Sequence, residues 1–149
     1  MALGELPEIM DAIVALQNEI ETPYDETVLA DAVNGPPPVG HGFPCFFNEE
    51  AIDNQMDIDR GMDLAELRLA IDMHLLFGAM EEDYSLESRR RWVQPVLDKF
   101  DANLSLKGTV TAAEITAVRW SPIELNETPY IAATFVLSVE LKHAVQYEG

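Results

Sequence analysis

The chain has 149 residues, 48% of them hydrophobic, and carries 27 Asp or Glu against 9 Lys or Arg, a formal net charge of −18. That length fits one domain able to bury its own core, and the apolar content excludes a disordered chain. A lone cysteine excludes an internal disulfide framework, and the acidic excess disfavours direct nucleic-acid binding, which needs Lys/Arg clusters to displace counterions.

In chain order, residues 6–20 read as a helix. Pro7 suits its first turn, Glu8 and Asp11 complement the positive end of the dipole, and Ile9, Ile13, Leu16 and Ile20 line one face. The start of the chain lacks the basic flank of a signal peptide, and no apolar run reaches the roughly 18 residues of a membrane helix. A soluble protein of a reducing compartment, or one assembled there, is expected. Pro23 then blocks continuation of the helix. Residues 22–42 carry no clear period, and GPPPVGHG at 35–42 is a loop by composition. An extended Pro/Gly-rich arm is expected around 22–44, stiffened by its three consecutive prolines.

The apolar run Phe43-Pro44-Cys45-Phe46-Phe47 predicts the start of a strand, and the NEEAIDNQMDIDRGMD that follows reads as polar and turn-rich. Alternation of Leu67, Leu69, Ile71, Met73, Leu75 and Phe77 with mostly more polar residues predicts a long half-buried strand. Ser85 or Ser88 is positioned to cap a second helix, with Trp92, Val93, Val96, Leu97, Phe100 and Leu104 at helical spacing. Pro95 inside that pattern predicts a kink or two abutting pieces. Residues 109–120 read as a weaker strand, SPIELNETP as a turn, and residues 131–142 as a strand closing an antiparallel hairpin. The expected fold is a single α+β domain, with an antiparallel or mixed sheet of about four strands and two helices packed on one face.

Candidate sites are few. His41, His74 and His143 show no zinc spacing. Cys45 lies near His41, the minimum for a catalytic Cys–His pair, but FPCFF reads as a buried strand in which cysteine is a small hydrophobe. Asp53, Asp57, Asp59 and Asp63 crowd one segment. Counted from Asp57 as a calcium loop, that segment has Met62 at the glycine position and Arg68 at the bidentate acid. A solvated acidic loop is the better reading. No phosphate loop, nucleophile elbow or Ser/His/Asp set is visible, so neither catalytic residues nor a cofactor is expected.

Charge placement is more informative. Residues 1–59 hold 13 acids and no Lys or Arg, whereas residues 60–149 hold 14 acids and all 9 basic residues. Plain solubility or adaptation to high salt is one reading of the excess. Arg89, Arg90 and Arg91 fall near the positive dipole end of the second helix, an unfavourable place for cations. Glu81, Glu82, Asp83 and Glu87 offset part of that. Alternatively the arginines face an acidic surface on a neighbouring subunit, a heterologous contact that forms rings.

The order of an N-terminal helix, an acidic arm, a long strand, an Arg-bearing helix and the terminal hairpin RWSPIELNETPYIAATFVLSVELKHAV resembles tail terminator (tail completion) proteins of long-tailed bacteriophages, the group that includes the phage lambda terminator. The segment 129–141 carries most of the likeness, which spans about residues 6–145; the proline-rich 35–44 departs from the pattern. The resemblance implies a hexameric ring in the virion neck, assembled in the host cytoplasm. The ring stops growth of the tail tube, touches the tube protein and a head-completion or connector protein, and lets DNA pass without gripping it. It also implies a lumen lined by acids, drawn from Asp53, Asp57, Asp59 and Asp63 or from Glu81, Glu82 and Asp83. Three rivals stand beside it: another head–tail connector, a small-ligand domain using the sheet with Trp92 or Trp120, and an enzyme, which an exposed Cys45 with a lowered pKa would revive.

Overall fold

A computed structural model describes residues 6–20, 31–35, 44–50, 57–60, 64–79, 86–120, 122–125 and 127–144, with only the backbone at residues 6, 50, 57–60, 64–67, 78–79, 86–90 and 142–144. Two helices, α1 (Leu6–Asn18) and α2 (Leu86–Asp101), accompany seven strands in one mixed sheet: β1 (Val33–Asn34), β2 (Cys45–Glu50), β3 (Asp57–Arg60), β4 (Leu64–Ala79), β5 (Ala112–Trp120), β6 (Ile123–Leu125) and β7 (Thr128–Ala144). The class is α+β, as the sequence predicts.

The larger strand number has a simple origin. β2 pairs with Ile71–Leu76 of β4 and β3 with Ala65–Arg68 on the same flank, so the two form one interrupted column. On the far side β5 pairs with Ala133–Glu140 of β7 and β6 with Thr128–Tyr130, forming another. Four columns result, with the two-residue β1 added parallel to β2. Only β1 is parallel. The segments around β1 and β3 were expected to be an arm and a turn-rich loop; strands of two and four residues are too short to show a period. Most of the expected arm lies outside the described residues, but Val33–Asn34 joins the sheet.

β4 and β7 form the spine, antiparallel over almost their whole length. Alternation sends Leu69, Ile71, Met73 and Leu75 to the same side as their partners Val139, Leu137, Phe135 and Ala133, all buried. Both helices cover that side. Ile9, Ala12, Ile13 and Leu16 from α1 and Trp92, Val96 and Phe100 from α2 share one core cluster with these strand residues. Each fully buried large apolar side chain there stabilises the fold by about 1.5–3 kcal/mol. One polar contact crosses the layers: Gln17 Nε2 donates to Asn48 Oδ1 at 2.6 Å and Asn48 Nδ2 donates to Gln17 Oε1 at 2.8 Å, both residues buried. The reciprocal amide pair fixes α1 over β2.

Of the two alternatives at Pro95, two abutting pieces do not form: α2 is one helix that includes the proline. Losing one backbone bond costs about 3 kcal/mol. Three buried anchors at successive turns, Trp92, Val96 and Phe100, outweigh that. The helix ends before Leu104, which is 53% exposed instead of continuing the apolar stripe. Asn103 Nδ2 donates to the Lys99 carbonyl at 2.8 Å, and the chain then turns through left-handed Leu106, Lys107 and Gly108. A left-handed leucine costs about 1–2 kcal/mol, which complete burial of Leu106 offsets. Among the described residues no helix is long and apolar enough to cross a membrane.

Candidate functional site

The helix-free face of the sheet is where chemistry-bearing residues meet. Its register gives successive rows across the strands. Cys45, Leu76 and Ala132 form an apolar row at one end. Next come Phe47, His74, Thr134 and Arg119, then Glu49, Asp72, Val136 and Ala117. Ala70, Ser138 and Glu114 follow, and then Arg68, Glu140 and Ala112. Acids thus recur along the face at Glu49, Asp72, Glu114 and Glu140, with Arg68 standing opposite Glu140 in the ladder.

His74 is the focus. Its Nδ1 lies 2.8 Å from Thr134 Oγ1 and its Nε2 lies 2.8 Å from Glu49 Oε1. The Phe47 ring packs against the imidazole with centroids 4.6 Å apart. A carboxylate only accepts, so Nε2–H donates to Glu49, and the neutral ring accepts the Thr134 hydroxyl proton at Nδ1. His74 and Thr134 are buried whereas the Glu49 side chain is 42% exposed, so the carboxylate connects the pair to water.

Hydroxyl, imidazole and carboxylate stand in the order of a nucleophilic triad, but the surroundings differ from one. Acyl transfer needs unpaired backbone donors beside the hydroxyl. Thr134 lies in mid-strand, opposite His74 on β4 and Arg119 on β5, so the ladders on both sides occupy the backbone there. The contacts among the described residues satisfy two buried polar groups and link three strands.

Of the residues singled out in the sequence, Cys45 is fully buried, and burial pushes its thiol up to about 11. It is a packed hydrophobe in a small cluster with Phe47, Leu76 and Ala132. His41, Asp53, Asp63, Glu81, Glu82 and Asp83 lie outside the described residues. Asp57 and Asp59, expected in a loop, belong to the backbone of β3, where they stand opposite Arg68 and Glu66 of β4. Arg89, Arg90 and Arg91 fall in the first half of α2, and the Arg91 side chain is exposed. No group of three or more metal-ligating side chains converges among the described residues.

Trp92 is sealed in the core and unavailable to a ligand, whereas Trp120 is 41% exposed. An open hollow of about 240 Å³ beside Leu104, Ala112 and Glu114 contains neither tryptophan and falls below the usual range of small-molecule pockets. The Glu49–His74–Thr134 chain escaped the sequence reading. Alternation puts His74 and Thr134 on polar faces of their strands, but only the register brings them together. Comparison of the chain with protein-family profiles and with characterised proteins finds no match.

Proposed function

We propose that the protein is a structural ring subunit of the tail-terminator type, which caps a phage tail tube and offers the surface to which the head joins. The observation that carries this reading is the assembly of the very elements behind the resemblance. Helix α1, long strand β4, helix α2 and the terminal β5–β7 hairpin build one sheet with both helices on one side. The other side carries no helix among the described residues; it is buried at its Cys45 end and bears acids further along. Such a face suits a passage for DNA, because acids raise the free energy of binding without obstructing transit. Glu49, Asp72, Glu114 and Glu140 are its candidates on the helix-free face.

In this reading the arginines at 89–91 on α2 meet acids of the neighbouring subunit, and the tube protein and a head-completion protein dock on the two rims. Electron microscopy of the purified full-length chain tests it. Rings of six that bind the ends of isolated tail tubes are expected. Arg89→Glu combined with Arg91→Glu should dissolve them at moderate salt while leaving the circular dichroism spectrum intact. A monomer that ignores tube ends at every concentration refutes the reading.

A further inference from the structure

Among the described residues β5 is an outer strand of the sheet, paired to β7 on one side only, and Glu114, Thr116, Ala117, Arg119 and Trp120 along it are exposed. In an unbroken strand, Glu114 and Arg119 would lie on opposite faces, because their separation is odd. They do not. The register slips between Ile115 and Ala117, leaving Thr116 as an extra residue, so Glu114 aligns with Ser138 and Arg119 with Thr134, both on the helix-free face. By the same slip Ile115 and Val118 both align with core residues, Leu137 and Phe135, and both are half-buried against the main core. Read outward from the bulge, the strand is apolar then acid in one direction, and apolar then basic in the other.

We propose that β5 is a self-complementary edge and pairs antiparallel with β5 of a second copy of this chain. With the two-fold axis between Thr116 and Ala117, Glu114 of each copy faces Arg119 of the other on the open side, and Ile115 faces Val118 on the helix side. The small, exposed Thr116 and Ala117 meet at the centre, where two bulged strands need room. Both helix layers stay on one side of the continuous sheet. Two copies of a chain with a net charge of −18 repel at long range, so a local match of opposite charges decides whether this edge closes. Bulges and charges also serve to blunt edges against pairing, and the experiment separates the two uses. The contact is isologous and closes on itself. It therefore joins two subunits, or two rings, and stands independently of the ring reading.

Sedimentation of the full-length protein across a concentration series tests it, using Glu114→Arg, Arg119→Glu and the double exchange. The wild type is expected to associate in pairs. Each single reversal opposes like charges at both symmetric positions and should weaken association about tenfold. The double exchange restores both pairs and should return to within about threefold of the wild type. Glu114→Arg is the decisive variant, because it lowers the net negative charge and would tighten an association governed by overall repulsion. Circular dichroism checks that each variant is folded. A wild type that stays monomeric at high concentration, or an oligomer that none of the three variants changes, overturns the proposal. A hexamer indifferent to the variants does so while leaving the ring reading in place, and swap-dependent pairs with no ring overturn only the latter.

Discussion

The two faces of the sheet come from the same two strands, yet they are built on different terms. Toward the helices, β4 and β7 present Leu69, Ile71, Met73 and Leu75 against Val139, Leu137, Phe135 and Ala133, a continuous apolar seam under α1 and α2. Away from them, one residue out of phase, the same strands present a short apolar row and then His74, Thr134, Asp72, Ser138, Arg68 and Glu140. The first face holds the fold together by area removed from water. The second face is held by matching polar partners, His74 with Thr134 and Glu49 above all. A single-residue slip of β4 would exchange the two sets, so the seam on one side is what keeps the charges on the other.

The largest effect should come from opening the apolar seam. Phe135 is fully buried and its ring lies 6.4 Å from that of Phe46, joining β7 to β2 across β4. Phe135→Ala is expected to cost about 3–5 kcal/mol, read as a fall in the urea midpoint. A loss below about 1 kcal/mol would mean that the seam is loosely packed.

Cys45 tests the apolar end of the other face. In the unfolded chain its thiol ionises around 9.0, whereas burial in the fold holds the proton to about 11. The folded state therefore loses stability as pH rises from about 9 toward 11, and nothing changes from this group below 9. The full loss amounts to about 2–3 kcal/mol. Comparing the wild type with Cys45→Ala in urea melts at pH 8 and pH 10.5 isolates the effect. The wild type should lose more stability than the variant over that interval, and a thiol reagent at pH 8 should label Cys45 only as fast as the protein unfolds. Rapid labelling of the native protein would show the thiol to be accessible and revive a catalytic Cys45.

How far these two faces were legible in the sequence follows from the length of each signal. β4 and β7 alternate over many residues, so their seam residues Ile71, Met73, Phe135 and Leu137 could be read in advance, and so could the stripe Ile9, Ile13 and Leu16 of α1. β1, β3 and β6 could not, since two to four residues hold no period and their pairing is set by β2, β4 and β7. Leu104 and Leu106 show a different failure. Helical spacing chose Leu104, but the turn after Asp101 runs through left-handed residues and hands the buried place to Leu106. The polar chain on the open face was hidden for a third reason: Glu49, His74 and Thr134 lie on three strands, and nothing local specifies which rows coincide.

That chain gives the smallest of the expected effects and the sharpest test of the contrast. His74→Leu keeps the bulk against Phe47 but strands the Thr134 hydroxyl, which is buried, while Glu49 turns to water. A loss of about 1–2 kcal/mol is expected, the desolvation of one orphaned hydroxyl. Adding Thr134→Val removes that orphan and should recover most of the loss, because replacing both partners of a buried hydrogen bond by apolar groups of similar shape is nearly neutral. Recovery in a double-mutant cycle would mean that His74 and Thr134 serve the fold only by satisfying one another. No recovery, with the double variant as unstable as the single, would place the importance of His74 in its bond to Glu49. The open face would then be anchored by a partly exposed carboxylate, and the division between an apolar face that stabilises and a polar face that interacts would have to be redrawn there.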